Sequence, residues 1–180
     1  MRQFFAVLTI VAGGLLAAAC ASSSVERGPS VAASTSGSAG GSAVMVAAAR
    51  PLQCVPYARQ LSGLDIRGDA WSWWPAAEGR YLRAHSPAVG AVLVLSKTQR
   101  LRYGHLAVVT RLVGPREVLV EHANWLNRGM IHRNVPVVDV SPANDWSQVR
   151  LWYVPGNHLG SHVYPASGFI LPVAQTAASD

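Results

Sequence analysis

One cysteine and two histidines of this chain could together carry out nucleophilic catalysis. Cys54 lies between Pro51 and Pro56 at the predicted start of a helix, and His105 and His122 follow in predicted strands. Free N–H groups and the helix dipole at a helix N-terminus favour an anion, so we expect a lowered pKa for the Cys54 thiol. A thiolate, an imidazole and a third group that orients the imidazole are the parts that cysteine-dependent hydrolysis needs. The alternative is that Cys54 is a buried, inert cysteine.

A predicted β-hairpin brings the two histidines together. Residues 104–113 and 117–124 are apolar runs of strand type, and a tight turn at 114–115 separates them. In an antiparallel pair the start of the first strand lies beside the end of the second, so we expect His105 near His122.

Alternation along the second strand decides which side chain faces the first histidine. Val118 and Val120 are apolar and assign their face to the core, and His122 and Asn124 share that face. Glu121 lies on the opposite face, where we expect it to meet solvent. The pattern therefore predicts His122 as the orienting group, Asn124 as a further orienting or polarising amide, and Glu121 as the less favoured alternative.

The order of these motifs resembles the CHAP family of cysteine, histidine-dependent amidohydrolases and peptidases. The matching features, over about residues 50–155, are Gln53-Cys54 at a helix start, Gly104-His105 followed by four apolar residues, and a strand that ends in Asn124-Trp125. In the family pattern a glutamate stands two residues before the asparagine, and here His122 occupies that position. The result is a Cys-His-His set similar to that of NlpC-type cell-wall peptidases.

The resemblance implies a fold, an activity and roles for the site residues. The implied fold is papain-like, with N-terminal helices packed on a small antiparallel sheet. The implied activity is hydrolysis of peptidoglycan amide bonds, by an amidase or an endopeptidase, through a thioester on Cys54. His105 is implied as the general base and the backbone N–H of Cys54 as the donor to the oxyanion. Neither a cofactor nor a metal is expected.

Other aromatic and imidazole side chains carry weaker signals. Tyr57, Trp74 and Trp125 are candidates for substrate binding, although Tyr57 and Trp74 are more typical of core packing. The remaining histidines are interpreted as ordinary core or surface residues: His85, His132, His158 and His162. One cysteine and two histidines could also bind zinc, but the closely spaced ligand pairs typical of structural zinc sites are missing.

The apolar patterns predict helices first and strands afterwards. One helix runs from Cys54 to a stop at Gly63, and a second short helix opens at 68–69 and ends at Gly79. Strand-type runs follow at 90–96, 104–113, 117–124, 130–131, 135–140 and 149–154. This order indicates an α+β domain with an antiparallel sheet.

The N-terminal residues are typical of an exported protein. Arg2 and the apolar run 4–16 precede three alanines and Cys20, so residues 1–20 are a predicted signal peptide. The alanines before Cys20 resemble a bacterial lipobox, which favours lipidation of Cys20 over ordinary signal cleavage. A disulfide between Cys20 and Cys54 is less favoured.

The composition after residue 20 predicts a linker followed by a folded domain, and the net charge indicates what the protein binds. Residues 21–49 are almost entirely Ala, Ser, Gly, Val and Thr, which predicts a flexible linker. The catalytic domain is predicted at 50–155 and a C-terminal extension at 156–180. The net charge is +6 without any run of basic residues, which favours a polyanionic wall over nucleic acid. We expect an exported monomer in the periplasm or cell envelope, bound to peptidoglycan and to a membrane through its lipid anchor.

Two other functions fit the same residues. A non-catalytic module could bind the cell wall through the same groove, but it would not need the complete set Cys54, His105, His122 and Asn124. Acyl transfer through the same thioester differs from hydrolysis only in the molecule that attacks second. The amide at the sugar and the amides within the peptide are equal candidates for the bond that is cut.

Overall fold

The computed structural model describes residues 42–126 and 129–174. The predicted signal peptide, Cys20 and most of the predicted linker lie outside these residues. The α-helices are α1 (Cys54–Ser62) and α2 (Trp73–Ala76), and 3₁₀ helices cover Ala70–Ser72 and Val154–Gly156. The strands are β1 (Val44–Val46), β2 (Tyr81–Ala84), β3 (Val92–Leu95), β4 (His105–Gly114), β5 (Glu117–Ala123), β6 (Ile131–Asp139), β7 (Gln148–Tyr153), β8 (His158–Leu159) and β9 (Tyr164–Ala174).

Six of these strands close into an antiparallel barrel. The order β6-β5-β4-β3-β9-β7 is continuous, and the further pairing of β6 with β7 joins its two ends. The three remaining strands extend the barrel at its rim, where β1 pairs with β6, β2 with β9, and β8 with β7. Closure of this kind removes exposed strand edges from the main sheet.

The barrel corrects the fold expected from the sequence. A papain-like α+β domain with N-terminal helices packed on a small antiparallel sheet is wrong, because the described chain is mostly strand and contains only two short α-helices. The strand that closes the sheet is β9, which pairs with β3 on one side and β7 on the other. It lies in the segment that the sequence analysis assigns to a C-terminal extension after residue 155.

The N-terminal boundary of the folded part also differs from the expectation. The strand β1 lies within the predicted linker 21–49 and pairs with β6 through Met45 and His132. A strand of three residues between small residues has too little apolar pattern to be distinguished from a linker by composition alone.

The inner and outer faces of the barrel are both buried near the helices. Leu93 and Leu95 of β3 point into the barrel, whereas Val92 and Val94 point outward toward the helices. The inner core contains Ala107, Val109, Val118, Val120, Val135, Val137, Trp146, Val149, Leu151 and Phe169. The outer core contains Ala58, Leu64, Ile66, Ala70, Trp73, Leu106, Val108 and Ile170. Burial on both faces explains why β3 and the first half of β4 read as continuous apolar runs.

Helix α1 begins and ends where its sequence predicts. Gly63 has φ of 77° and its backbone N–H donates to the carbonyl of Arg59 at 2.9 Å, a left-handed cap that glycine adopts without steric cost. Cys54 is the first helical residue, after Gln53 in an extended conformation. Among the described residues, every helix falls short of the length and apolar character that a bilayer span requires.

Candidate active site

Cys54 lies at the N-terminus of α1, close to several backbone amides. The N–H groups of Leu106, Val55 and Cys54 itself act to lower the pKa of the thiol and so favour the thiolate. The sulfur is a free thiol and is partly buried. The same amides are available to a negatively charged oxygen that develops on a carbonyl beside the sulfur.

Burial outweighs these amides in the resting thiol. Desolvation raises the pKa of the Cys54 thiol above its usual value, and the backbone hydrogen bonds only partly oppose the rise. The lowered pKa expected from the helix N-terminus is therefore not found. At neutral pH the resting sulfur is protonated and needs a base to become a nucleophile.

A glycine is required where the chain enters β4 at His105. Gly104 has φ of 67°, and a Cβ at this position would lie 2.6 Å from the carbonyl oxygen of Leu95 and 2.7 Å from the backbone nitrogen of Trp71. No other residue type fits this space without a shift of the backbone. The glycine lets the loop pass close to Trp71 and places His105 at the rim of the barrel.

The two histidines are joined by a hydrogen bond. His105 Nε2 and His122 Nδ1 are 2.9 Å apart, and both rings are buried. The hairpin β4–β5 supplies this contact through antiparallel pairing, as in the register Val109 to Val120. Because Nε2 is in this hydrogen bond, Nδ1 is the nitrogen of His105 that is left for a partner in the cleft that His105 and Cys54 both line. No hydrogen bond joins the Cys54 sulfur to His105 in the described part of the chain.

Burial sets the protonation of both rings. Desolvation lowers the pKa of His105 and that of His122, and neighbouring histidines add to both shifts. Both imidazoles are therefore neutral at pH 7. A neutral His122 can accept a hydrogen bond at Nδ1 only if its own proton is on Nε2. In that tautomer His105 Nε2 carries the proton of the hydrogen bond, and His105 Nδ1 is free to accept another.

Trp125 covers the histidine pair. Its ring centroid lies 4.7 Å from that of His105 and 5.7 Å from that of His122, and it stacks on His122 at 27°. The side chain is only 5% exposed and also meets Tyr164 edge to face. Trp125, a predicted substrate-binding residue, thus mainly shields the two imidazole rings from water.

Asn124 connects the loops around the site and, among the described residues, makes no hydrogen bond to the two histidines. Its side-chain N–H donates to Gln53 Oε1 at 2.6 Å, and its Oδ1 accepts from the backbone N–H of Gly129 at 2.9 Å. Its φ is 62°, a left-handed conformation that asparagine tolerates better than most residues. The expected role as an orienting amide for His105 has no hydrogen bond to support it; the contact ties the end of β5 to the residue before Cys54.

Glu121 points away from His105, as alternation predicts, but it does not lie in free solvent. The Tyr57 hydroxyl donates to Glu121 Oε2 at 2.7 Å, and Arg133 Nε is 3.5 Å from the same oxygen. Burial and this carboxylate raise the pKa of Tyr57 to about 12, so the phenol stays protonated as the donor. The hydrogen bond from Tyr57 to Glu121 anchors α1 to the sheet.

Two of the candidate substrate-binding residues lie outside the cleft. Tyr57 is buried between α1 and the sheet. Trp74 packs beside β9, with the Arg83 guanidinium 5.0 Å from its ring and His85 5.6 Å away. Neither lines the cleft at Cys54.

A third histidine, predicted to be an ordinary core or surface residue, lies next to His122. His132 is the cross-strand partner of His122 on β6, with ring centroids 5.2 Å apart at 87°. It is buried, and burial lowers its pKa. No sequence signal could have placed it there, because the register of β6 depends on the loop after Asn124. In the described part of the chain, no group of three or more His, Cys, Asp or Glu side chains is arranged to hold a metal ion.

The cleft beside Cys54 and His105 has a volume of about 560 Å³. Its lining combines the site with the loop before β4 and with β9: Gln53, Cys54, Gln99, Arg100, Leu101, Arg102, Tyr103, Gly104, His105, Asn124, Trp125, Leu126 and Tyr164. Leu126 and Tyr103 are among the most exposed large hydrophobic residues and form its rim. A cleft with a thiol, an imidazole and backbone donors on one wall has the components of an acyl-transfer site.

Comparison with protein families agrees with this geometry. The family model for the CHAP domain matches residues 45–124. This segment belongs to the CHAP domain family. The CHAP match contains Cys54, His105 and His122 and ends at Asn124, before β6, β7 and β9 complete the barrel. CHAP domains are usually amidohydrolases or peptidases and act on peptidoglycan. None of the curated proteins matches the chain.

Proposed function

We propose that this chain is a cysteine-dependent hydrolase that cleaves amide bonds in peptidoglycan. The observation that carries the proposal is the 2.9 Å hydrogen bond between His105 and His122 beside a partly buried thiol at a helix N-terminus. A CHAP domain that only binds the wall would gain nothing from two buried, neutral histidines aligned in this way, since burying imidazoles without full hydrogen bonding costs stability.

The chemistry follows from the positions of the groups. The Cys54 sulfur attacks the amide carbonyl carbon while its proton moves to His105 Nδ1, and the carbonyl oxygen becomes an oxyanion near the Cys54 and Leu106 amides. The C–N bond then breaks, His105 returns the proton to the leaving nitrogen, and a thioester remains. Water attacks the thioester, again giving its proton to His105, and the thiol leaves with that proton.

The pKa shifts support a neutral resting pair for this reaction. Burial raises the pKa of Cys54 and lowers that of His105, so both shifts disfavour a preformed thiolate–imidazolium pair. The proton therefore moves as the carbon–sulfur bond forms. His122 holds His105 in the tautomer that this step needs, and Trp125 limits the access of water to both rings.

We also propose that the protein acts outside the cytoplasm, in the periplasm or cell envelope. The support is the N-terminal sequence of Arg2, an apolar run and three alanines before Cys20, together with a substrate class that lies outside the membrane. Lipid on Cys20 would hold the domain at the membrane, and the linker would let it reach the wall.

Digestion of purified peptidoglycan tests the activity. Wild-type protein should release soluble fragments that mass spectrometry identifies by the amide bond cut. Cys54→Ser and Cys54→Ala should release none while keeping the wild-type melting temperature within a few degrees, because the residue is small and only partly buried. Fragment release by either variant equal to that of the wild type would reject the proposal.

A further inference from the structure

Two pockets share Cys54 in their linings. The cleft described above, here called the His105 pocket, continues past Cys54 into a second pocket of about 340 Å³, here called the Asp69 pocket. The Asp69 pocket is lined by Val55, Gly68, Asp69 and Ala70. Gln53, Cys54 and Tyr103 line both pockets. A substrate that presents a carbonyl to the sulfur can therefore extend into both.

The two pockets carry opposite charges. Arg100 and Arg102 line the His105 pocket, and among the described residues Asp69 is the only charged one that lines the Asp69 pocket. None of these three side chains is in an ion pair within the described residues. The positive charge of Arg100 reaches Tyr164, where it opposes the rise in pKa that burial causes. The nearby cation Lys97 is 5.4 Å from the Trp71 ring and lines neither pocket.

The position of His105 assigns the two halves of the substrate. His105 protonates the leaving nitrogen, so the leaving amine must lie on the side of the sulfur where the imidazole is. Among the two pockets, only the His105 pocket is lined by that residue. The acyl half of the substrate, which becomes the thioester, therefore occupies the Asp69 pocket.

We propose, building on the hydrolase function above, that the substrate is a peptide with a primary ammonium group on its acyl half and a free carboxylate on its leaving half. The ammonium group pairs with Asp69, and the carboxylate pairs with Arg100 and Arg102. In peptidoglycan an ammonium group on the acyl half belongs to a peptide, whereas the lactyl group that joins the peptide to the sugar carries none. The charges thus favour cleavage within the peptide over cleavage at the sugar.

A series of synthetic stem peptides tests the acyl side. The peptides share one scissile bond and differ in the acyl half, which carries a free α-amine, a free side-chain amine, or the acetylated form of each. We expect wild-type kcat/KM to favour one of the amines over its acetylated form by about two- to fivefold, the range for an exposed ion pair. Asp69→Asn should bring that ratio close to one. Asp65→Asn, an exposed aspartate outside both pockets, is the matched control and should keep the wild-type ratio.

The leaving side is tested with the same peptides ending in a carboxylate or a carboxamide. Wild type should prefer the carboxylate, and the double variant Arg100→Gln/Arg102→Gln should lose that preference. A wild-type ratio of one for both amines, or a ratio that Asp69→Asn does not change, would overturn the assignment of the acyl side. An unchanged carboxylate preference in the double variant would overturn the assignment of the leaving side.

Binding to the Cys54→Ala variant separates this inference from the proposed activity. Its Kd for the amine and acetylated peptides should differ by the same ratio, and adding Asp69→Asn should remove the difference. If wild type cleaves no peptide, the hydrolase proposal fails while the Kd ratio still decides whether the pockets select charge. Equal Kd values for the amine and acetylated peptides would reject the charge selection even if peptides are cleaved.

Discussion

Replacement of His122 is the most discriminating change in this site, because Glu121 is its neighbour on the same strand. His122→Ala removes the partner of His105 in the 2.9 Å hydrogen bond and leaves that imidazole free to rotate or to change tautomer. Glu121→Gln removes a charge that lies on the other face, where it accepts from Tyr57. His122→Asn is an intermediate case, since the side-chain oxygen of asparagine can occupy the position of Nδ1.

The size of the effect follows from the charge that His105 acquires during the reaction. When His105 accepts the thiol proton, its hydrogen bond to His122 becomes charge-assisted. Such a bond contributes about 1.5–3 kcal/mol, so its loss should lower kcat about 10- to 150-fold. The loss should be smaller than the roughly 10⁴-fold seen when a carboxylate partner is changed, because a neutral imidazole stabilises the cation less.

Initial rates on a soluble peptidoglycan peptide, with a melting curve for each variant, measure this prediction. We expect the order wild type, His122→Asn, His122→Ala for kcat, with KM changed less. Glu121→Gln should retain nearly full kcat and lose at most about 1 kcal/mol of stability, the value of one hydrogen bond. Near-normal turnover in His122→Ala together with collapse in Glu121→Gln would show that Glu121 orients His105.

Three further outcomes follow from the buried histidines and the N-terminus. We expect kcat/KM to be flat from about pH 6 to 8, because burial lowers the pKa of His105 and raises that of Cys54; an acid limb centred above pH 6.5 would contradict the neutral pair. Below the unfolded pKa of about 6.5, His105 and His122 bind fewer protons in the folded state than in the unfolded state. The free energy of unfolding should therefore fall as the pH drops, by up to about 2–3 kcal/mol per pH unit for the two groups. Urea unfolding between pH 7 and 5 measures this slope. The control variant His85→Gln should keep the wild-type slope. A free energy of unfolding that does not change with pH would refute the prediction. Cys20→Ser should move active protein from the membrane fraction to the soluble fraction, and a wild-type mature chain that starts after residue 20 would reject the lipid anchor.

The sequence predicts the parts of the site that depend on local pattern. The hairpin turn at 114–115 and the alternation of Val118, Val120 and His122 are short-range features, and the structure places His122 against His105 accordingly. The helix stop at Gly63 is equally local. These positions follow from a two-residue strand period and from helix-end chemistry, both of which operate over a few residues.

Long-range pairing and electrostatics are where the sequence misleads. The strand β9 follows a stretch rich in Gly, Pro and Ser, and nothing in its composition shows that it pairs with β3. Asn124 stands on the predicted inward face, but its positive φ turns its side chain toward Gln53. The pKa of Cys54 depends on how much chain covers the sulfur, and a helix N-terminus alone does not determine that.

Closure of the barrel by its last strand has a consequence for how the protein matures. Until β9 has emerged, β3 and β7 each present an unpaired edge, and the inner core under Trp125 remains open to water. Pairings between such distant segments form slowly, and open strand edges are sites of aggregation. A chain cut at residue 155 would therefore be an incomplete barrel with an exposed core rather than a smaller working enzyme. The thiol and its imidazole become a protected pair only when the C-terminal strand has docked, so hydrolytic capacity should appear late, after the whole chain has been synthesised and released.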